Sequence, residues 1–315
     1  MNAKLCRAHR PVFPLGASLL LAAVLLGPSA VRAQVAQDLD AIHTAEQQHR
    51  PPAEVGLMWA HLASEYGNSA DFLKAEDAYN HSLHLLKDVP DAKPVYAITL
   101  DNLASLYLVY GRVDEAEEVR KQALAIRQKI GNAADIGVGE VLIADIAIAK
   151  RQYKKAEEFA LRGMKDMSSS SSPPKIVTLS ALITVTYARC SRGHTAEGLS
   201  SAQQAFDLAN THFEPNSPAM GFALQTLGYA EWKSGATEEG GRNMQRGLQI
   251  LRSKLAASDP RLTGALKQYA DYLVTTRQRQ EADEIRDEVA RMNSRAGVTC
   301  PACTVSVYSL AKGLR

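Results

Sequence analysis

Residues 100–124 read LDNLASLYLVYGRVDEAEEVRKQAL, and the same arrangement of small and apolar residues returns along the chain. Its reference point is Ala116, a small residue that opens the second of two predicted helices. The equivalent positions are Ala75, Ala116, Ala156, Gly198, Gly240 and Ala282. They are separated by 41, 40, 42, 42 and 42 residues. A period of about 20 to 50 residues predicts a repeat protein.

Two further series of small residues keep the same period. One lies late in the first helix of each repeat: Ala63, Ala104, Ala144, Thr186, Gly228 and Ala270. The other lies midway along the second helix: Ser82, Ala123, Gly163, Ala205, Gly247 and the larger Val289. Glycine inside a helix costs about 1 kcal/mol relative to alanine, so close packing must offset it. We therefore predict helical hairpins, with Gly228 facing Gly240 as the tightest pair. A generic helical bundle would share the apolar faces but not the fixed period.

The pattern resembles the tetratricopeptide repeat (TPR), in the roughly 42-residue variety of kinesin light chains and many bacterial proteins. The residues that carry the resemblance are Leu100, Leu103, Ala104, Tyr107, Gly111, Ala116, Ala123 and Leu124. The resemblance implies an all-α fold, a right-handed superhelix of about six helical hairpins. It also implies that the first helices line a concave groove that binds a peptide or a partner helix.

The domain boundaries follow from this period. We assign residues 53–293 to six repeats, 34–52 to an N-terminal capping helix, and 294–315 to an extended C-terminal tail. The run of serines at 168–172 and the two prolines after it are typical of a surface connection. A domain linker is the alternative, but the period continues across this segment, which favours one continuous superhelix.

The first 33 residues have the pattern of a secretory signal peptide. Lys4, Arg7 and Arg10 precede an apolar run at 15–26, and Val31-Arg32-Ala33 matches a small-x-small cleavage site. The run is shorter than the about 20 residues that a membrane span needs. We therefore predict a cleaved signal, no stable membrane span after cleavage, and an exported protein, periplasmic or secreted. An uncleaved membrane tether is the alternative.

The charge balance argues against a nucleic-acid partner. Without residues 1–33 the chain carries 32 basic and 34 acidic residues, a net charge near −2. Proteins bind nucleic acids largely through basic surfaces. The expected partner is therefore a protein or a peptide.

Motifs of catalysis are not found in the sequence. There is no glycine-rich phosphate loop, no nucleophile elbow and no zinc-protease helix. His81 and His84 share one predicted helix face, but two histidines without a third ligand are more typical of solvated surface than of a metal site. We expect no catalytic residues, no metal and no cofactor.

The tail contains Cys300-Pro301-Ala302-Cys303. In an oxidising compartment such a pair forms a short disulfide or takes part in redox exchange; free thiols and a metal role are the other readings. Thr304 stands where c-type haem attachment needs histidine. The alternating residues after Cys303 suggest an extended segment that lies on the last repeat or awaits a partner.

The repeat register predicts which first-helix residues face the groove. The candidate partner-binding residues are Asp101, Ser105, Asp145, Tyr187, Tyr229, Trp232, Lys267 and Asp271. The lysines and asparagines that bind C-terminal carboxylates in some TPR proteins are missing from these positions. Aromatic residues are frequent binding hot spots, so the three aromatics are the leading candidates. The alternative is that they belong to the core between repeats.

Two functions remain open on this evidence. The first is an exported, non-enzymatic scaffold that binds a protein or peptide in its groove. The second is an accessory or remnant of an exported enzyme, in which the cysteine-containing tail supplies redox chemistry or a tether.

Overall fold

The computed structural model describes residues 28–68, 71–255, 257 and 259–296. These ranges contain thirteen α-helices and no strand. The helices are α1 (Pro28–Gln47), α2 (Pro52–Asn68), α3 (Phe72–Leu86), α4 (Lys93–Val109), α5 (Val113–Ile130), α6 (Ala133–Ala149), α7 (Tyr153–Met167), α8 (Lys175–Ser191), α9 (Thr195–His212), α10 (Pro218–Lys233), α11 (Thr237–Lys254), α12 (Pro260–Thr275) and α13 (Arg279–Ala296). A short 3-10 helix, Pro90–Ala92, precedes α4.

Helices α2 to α13 form six antiparallel hairpins, as predicted. The six small reference residues are each the fourth residue of a second helix: α3, α5, α7, α9, α11 or α13. All six are buried, the four alanines completely. The period in the sequence is therefore the period of the hairpins.

The predicted glycine contact brings α10 and α11 together. A β-carbon added to Gly228 would lie 2.5 Å from the Gly240 carbonyl oxygen, closer than real side chains approach. Gly137 and Gly163 make an equally close contact between α6 and α7, also at 2.5 Å. The sequence-based prediction named only the first of these two pairs as the tightest.

The turns inside the second to sixth hairpins each have a left-handed residue in a fixed position. Gly111, Gly193 and Gly235 occupy it with φ of 76°, 85° and 98°. Arg151 and Arg277 occupy it in the third and sixth repeats with φ of 57° and 65°. Because a side chain disfavours this conformation, the two arginines are locally strained.

Helix α1 covers the open side of the first repeat. Ile42 and Ala45 of α1 are buried against Val55 and Leu62 of α2. The predicted cap at 34–52 is thus helical as far as Gln47. The predicted signal cleavage after residue 33 falls inside α1, and most of the signal, residues 1–27, lies outside the described residues.

The segment between α7 and α8, which contains the serine run and two prolines, does not separate the helices on either side. Helices α7 and α8 pack against each other, and α6 also contacts α8. No helix in the described ranges has the length and apolar character needed to cross a bilayer.

The apolar core differs between the two halves. One continuous buried cluster runs through α8 to α13, from Leu179 to Met292. In α1 to α7 the core is divided into smaller clusters, such as those around Tyr79 and around Val141.

Candidate functional site

The first helices of successive repeats touch one another. Contacts join α2 to α4, α4 to α6, α6 to α8, α8 to α10 and α10 to α12. Successive second helices have no comparably extensive contact within the described residues. The first helices therefore lie on the inner side of the curve, and we call their facing surface the inner face. The approach is closest among α6, α8 and α10.

The three predicted aromatic residues are brought together on this face. The ring centroids of Tyr187 and Tyr229 are 4.8 Å apart, and those of Tyr229 and Trp232 are 6.0 Å apart. Two tyrosines that the sequence analysis did not select continue the row: Tyr272 lies 5.9 Å from Trp232, and Tyr269 lies 5.7 Å from Tyr272. The five rings thus link α8, α10 and α12, and we call them the aromatic row.

Most of the aromatic row is packed between repeats. Tyr229 is only 9% exposed, and Tyr269 and Tyr272 are 7% exposed. Burial raises the pKa of Tyr187, whose hydroxyl donates a hydrogen bond of 3.0 Å to Gln268 Oε1. Tyr229, Tyr269 and Tyr272 therefore belong to the core between repeats, which was the alternative to partner binding.

Trp232 is the central ring of the row and is more accessible than the three buried tyrosines. Its side chain is half-buried, and Lys233 Nζ lies 3.9 Å from its ring centroid. Lys267 is also half-buried, and burial lowers its pKa, while Asp271 is exposed. The indole is thus an apolar surface bordered by a cation, with two further charged residues on the next first helix.

Asp101 and Asp145 are not surface residues. Both are nearly completely buried, at 1% and 4% exposure. Arg127 Nη2 lies 2.5 Å from Asp101 Oδ2, and Arg120 Nη1 lies 3.5 Å from Asp145 Oδ2. Their predicted role in partner binding needs correction, because each carboxylate already faces an internal arginine.

Ser105 belongs to the same buried group. It is 8% exposed, and its hydroxyl accepts a hydrogen bond of 3.1 Å from Arg120 Nη2. Asp145 Oδ1 in turn accepts a hydrogen bond of 3.3 Å from Thr184 of α8. Burial raises the pKa of Asp101, although Arg127 opposes this shift. These groups tie α4, α5, α6 and α8 together inside the solenoid.

Arg120 and Arg127 are not among the sequence-predicted site residues, although the repeat register contains the signal for them. The positions equivalent to Arg127 in the first, third, fourth and fifth repeats are Leu86, Met167, Ala209 and Leu251. Those equivalent to Arg120 are Tyr79, Ala160, Ala202 and Met244. All eight are buried. In the sixth repeat, at the end of the stack, the residue equivalent to Arg120 is the exposed Arg286. Inside the stack, an arginine in a position that is uncharged in the other inner repeats predicts a buried ion pair, because a buried charge needs a partner.

A histidine and the two cysteines of the tail remain from the sequence analysis. His81 is exposed on α3, 4.4 Å from the Trp59 ring. The described part of the chain contains no group of three or more potential metal ligands. Cys300 and Cys303 lie outside the described residues, so their predicted pairing stays a prediction. A polar cleft of about 810 Å³ lies along α11 and α13, where Arg252 and Glu288 form an ion pair of 2.6 Å.

Comparison with known proteins identifies the fold. No protein-family model and no curated protein matches the chain. Among solved structures, the apo form of RapI superimposes with a TM-score of 0.69 at 13% identity, covering 84% of this chain and 94% of that one. Aspartyl phosphate phosphatase F from Bacillus subtilis gives 0.65 at 14% identity, with 88% and 70% covered.

A Rap protein complexed with Competence and Sporulation Factor superimposes with a TM-score of 0.58 at 14% identity, covering 86% of this chain and 88% of that one. At these identities the likeness concerns the fold alone. The solved structures are TPR-like repeat proteins, so this chain has the fold of a TPR-type helical solenoid, as its repeat pattern predicts.

Proposed function

We propose that this chain is an exported, non-enzymatic scaffold that binds a protein or peptide on its inner face, with Trp232 as an anchor. The observation that carries the proposal is the half-buried indole in the middle of the aromatic row, with Lys233 over its ring. Large aromatic side chains in partly enclosed positions are typical hot spots of protein interfaces.

The fold comparison supports a binding role. One solved structure of similar fold is a Rap protein complexed with Competence and Sporulation Factor. The internal ion pairs also support a role without catalysis, because Asp101 and Asp145 are already held by arginines. A non-catalytic scaffold needs only a complementary surface and a rigid frame.

Binding is tested by affinity capture with residues 34–315 as bait, followed by titration of the purified partner. We expect Trp232→Ala to lose about 2 kcal/mol or more of binding free energy, the range of a hot spot. The variant should keep its helical circular dichroism, since the indole is half-buried. Binding should also depend only weakly on salt, because the main contact is apolar.

Phe159→Ala is the matched control. Phe159 is another half-buried aromatic residue with a cation over its ring, since Arg162 lies 4.5 Å from its centroid, but it belongs to the second helix α7. The control should bind like the wild type. If Trp232→Ala folds and binds the partner as tightly as the wild type, the binding site lies elsewhere. If the variant does not fold, Trp232 is a core residue.

Export is tested separately by the mass and N-terminal sequence of the protein expressed from its full coding sequence. We expect a chain that begins at Gln34 in the periplasm or the medium. A full-length chain that stays with the membranes would support the tether instead. A full-length chain in the cytosol would contradict export altogether.

A further inference from the structure

A cleft opens between the last two second helices. Helices α11 and α13 both pack against α12, but within the described residues they have no extensive contact with each other. The space between them is the polar cleft of about 810 Å³, and we call it the outer cleft. Its floor contains the buried residues Leu248, Tyr269 and Ile285. Because the second helices form the outer side of the curve, the outer cleft opens on the side opposite the inner face.

The walls of the outer cleft carry opposite charges. Arginines of α11 line one wall and glutamates of α13 line the other: Arg242, Arg246 and Arg252 against Glu281, Glu284 and Glu288. Arg291 adds a cation near the end of α13. Arg242 and Arg246 are four residues apart, so they lie on the same side of α11 with their β-carbons about 5–6 Å apart.

The acidic wall is occupied by contacts within the protein. Glu288 Oε2 lies 2.6 Å from Arg252 Nη2. Glu284 Oε1 accepts a hydrogen bond of 3.2 Å from a glutamine one turn earlier on α13. Glu281 lies beside Tyr269, because burial together with this carboxylate raises the pKa of the tyrosine to about 12. The three glutamates therefore already have internal partners.

The basic wall has donors that the protein does not use. Arg246 is exposed and takes part in no ion pair with any described residue. Arg242 reaches only Glu238, at 4.0 Å, and the two side chains are 69% and 95% exposed. Such a pair contributes little to stability, because both groups stay in water. Two guanidinium groups of the outer cleft are therefore available to an acceptor from outside.

The repeat does not require an arginine at position 242. The equivalent residues of the other five repeats are Asp77, Glu118, Glu158, Ser200 and Glu284. The hairpin thus folds with an acidic or a small polar residue at this position. Among the six repeats, the positive charge occurs only in the helix that provides the basic wall, which indicates a role in binding rather than in folding.

The chemistry of the two walls selects the ligand. Guanidinium groups bind carboxylates and phosphates through paired N–H donors. A phosphate carries about −1.5 to −2 charges, so the glutamates across the cleft would repel it more strongly than a singly charged carboxylate. In an extended chain, side chains on one side recur about every 6.7 Å, close to the separation of two arginines one helical turn apart.

We propose that the outer cleft binds an extended acidic segment of a partner protein, in which carboxylates two residues apart pair with Arg242 and Arg246. This inference concerns a different surface from Trp232 and goes beyond the proposed function. Added salt should weaken this binding strongly, because exposed charges are screened.

The test uses three fluorescent synthetic peptides in which serine alternates with glutamate, with glutamine or with lysine. Binding of each peptide to the protein is measured by fluorescence anisotropy at low and at raised ionic strength. At low ionic strength we expect the glutamate peptide to bind at least about fivefold more tightly than the glutamine peptide. Most of this difference should disappear when salt is added.

The protein variant that removes the site is Arg242→Gln combined with Arg246→Gln. Both side chains are exposed and glutamine is a good helix former, so the fold should persist. The variant should bind the glutamate peptide at least about fivefold more weakly than the wild type. Replacing both arginines by glutamate should reverse the preference, so that the lysine peptide binds more tightly than the glutamate peptide.

The matched control is Arg279→Gln combined with Arg286→Gln. It removes the same two positive charges from exposed positions of α13 that do not line the outer cleft. This control should bind the glutamate peptide like the wild type. Trp232→Ala should also bind it like the wild type, because the indole lies on the inner face.

Each result decides the proposal. Equal binding of the glutamate and glutamine peptides, unchanged binding by the folded Arg242 and Arg246 double variant, or an equal loss in the control would overturn it. Displacement of the glutamate peptide by an equimolar amount of inorganic phosphate would also overturn it, since the site would then be one for a free anion. Any of these failures would leave the proposed function in place, because that function is tested at Trp232 with a different ligand.

Discussion

The two halves of the solenoid use the same hairpin but fill it differently. From α8 to α13 one large apolar cluster is continuous, and every ring of the aromatic row except Tyr229 is part of it or packs against it. Tyr229 belongs to a smaller cluster between α8 and α10, against which Tyr187 and Trp232 also pack. From α1 to α7 the clusters are smaller, and Arg120 and Arg127 occupy positions that are apolar in the neighbouring repeats. The difference teaches that the period fixes the size of the residues at helix contacts, while the chemistry between contacts is free to vary.

Removal of one buried arginine should have the largest effect on stability. Arg127→Ala leaves Asp101 buried without its ion-pair partner, and we expect a loss of about 3–5 kcal/mol in the free energy of unfolding. Urea denaturation followed by circular dichroism measures it.

The control for this variant is taken from the neighbouring repeats. Arg127→Leu combined with Asp101→Val installs the apolar residues found at Leu86 and Val141. We expect this double variant to be far less destabilised than Arg127→Ala, because replacing a whole buried ion pair is often neutral or stabilising. A single variant as stable as the wild type would show that the pair is not holding α4 to α5.

The second prediction concerns the close helix contact in the C-terminal half. Gly240→Val should cost about 1–3 kcal/mol through overpacking. The added β-carbon would meet backbone atoms only: the Gly228 oxygen at 2.6 Å and Trp232 nitrogen at 2.8 Å. Gly163→Val tests the close contact between α6 and α7 in the other half. An unchanged melting temperature for Gly240→Val would mean that α10 and α11 are not in this register.

A third prediction compares how stability depends on pH for the surface ion pairs of Glu117 and for the buried ion pair of Asp101. Hydrogen bonds from Lys150 and Lys121 lower the pKa of Glu117 from its ordinary value of 4.5 to about 2. Its contribution to stability is therefore present above about pH 4.5 and is lost as the pH falls towards about 2. Asp101 behaves oppositely: because burial raises its pKa, ionisation costs stability as the pH rises through its folded value.

Glu117→Gln tests the first half of this contrast. The variant should lose less stability than the wild type between about pH 4.5 and 2, by at most about 1 kcal/mol for an exposed pair. Denaturation midpoints across the acid range measure the difference. If stability fell equally with pH in the two proteins, Glu117 would not contribute to the acid dependence of stability.

The smallest predicted effect is a gain in stability at the turns, and it should be the same in both halves of the solenoid. Arg151→Gly and Arg277→Gly relieve left-handed backbone conformations in the third and sixth repeats. We expect each to gain up to about 1 kcal/mol, because the relief exceeds the extra chain entropy of glycine. Equal gains would show that the turn is a local feature. A loss of stability in either variant would contradict the assignment of strain.

The sequence predicted the hairpins well because their contacts depend on residue size at fixed positions. Each small reference residue lies at the fourth position of a second helix, and Gly228 faces Gly240 as expected. The grouping of Tyr187, Tyr229 and Trp232 also followed from register. Local spacing and period were sufficient for these features.

The exposure of the predicted groove residues did not follow from register. Asp145 and Tyr229 are buried because the first helices approach closely in the middle of the chain, and the degree of that approach depends on all the contacts together. The partners of the aspartates were missed for another reason. Arg120 and Arg127 lie on a second helix, whose residues the groove assignment did not consider.

The hydrogen bond from Tyr187 to Gln268 has a mechanical consequence. It joins α8 of the fourth repeat to α12 of the sixth, and so passes over a whole repeat. A solenoid whose repeats contact only their neighbours can extend under force one repeat at a time. Here the hydrogen bond and the aromatic row connect three repeats. Under force the N-terminal repeats should therefore extend first, and the three connected C-terminal repeats should unfold later as one unit. Single-molecule stretching would record this order of steps.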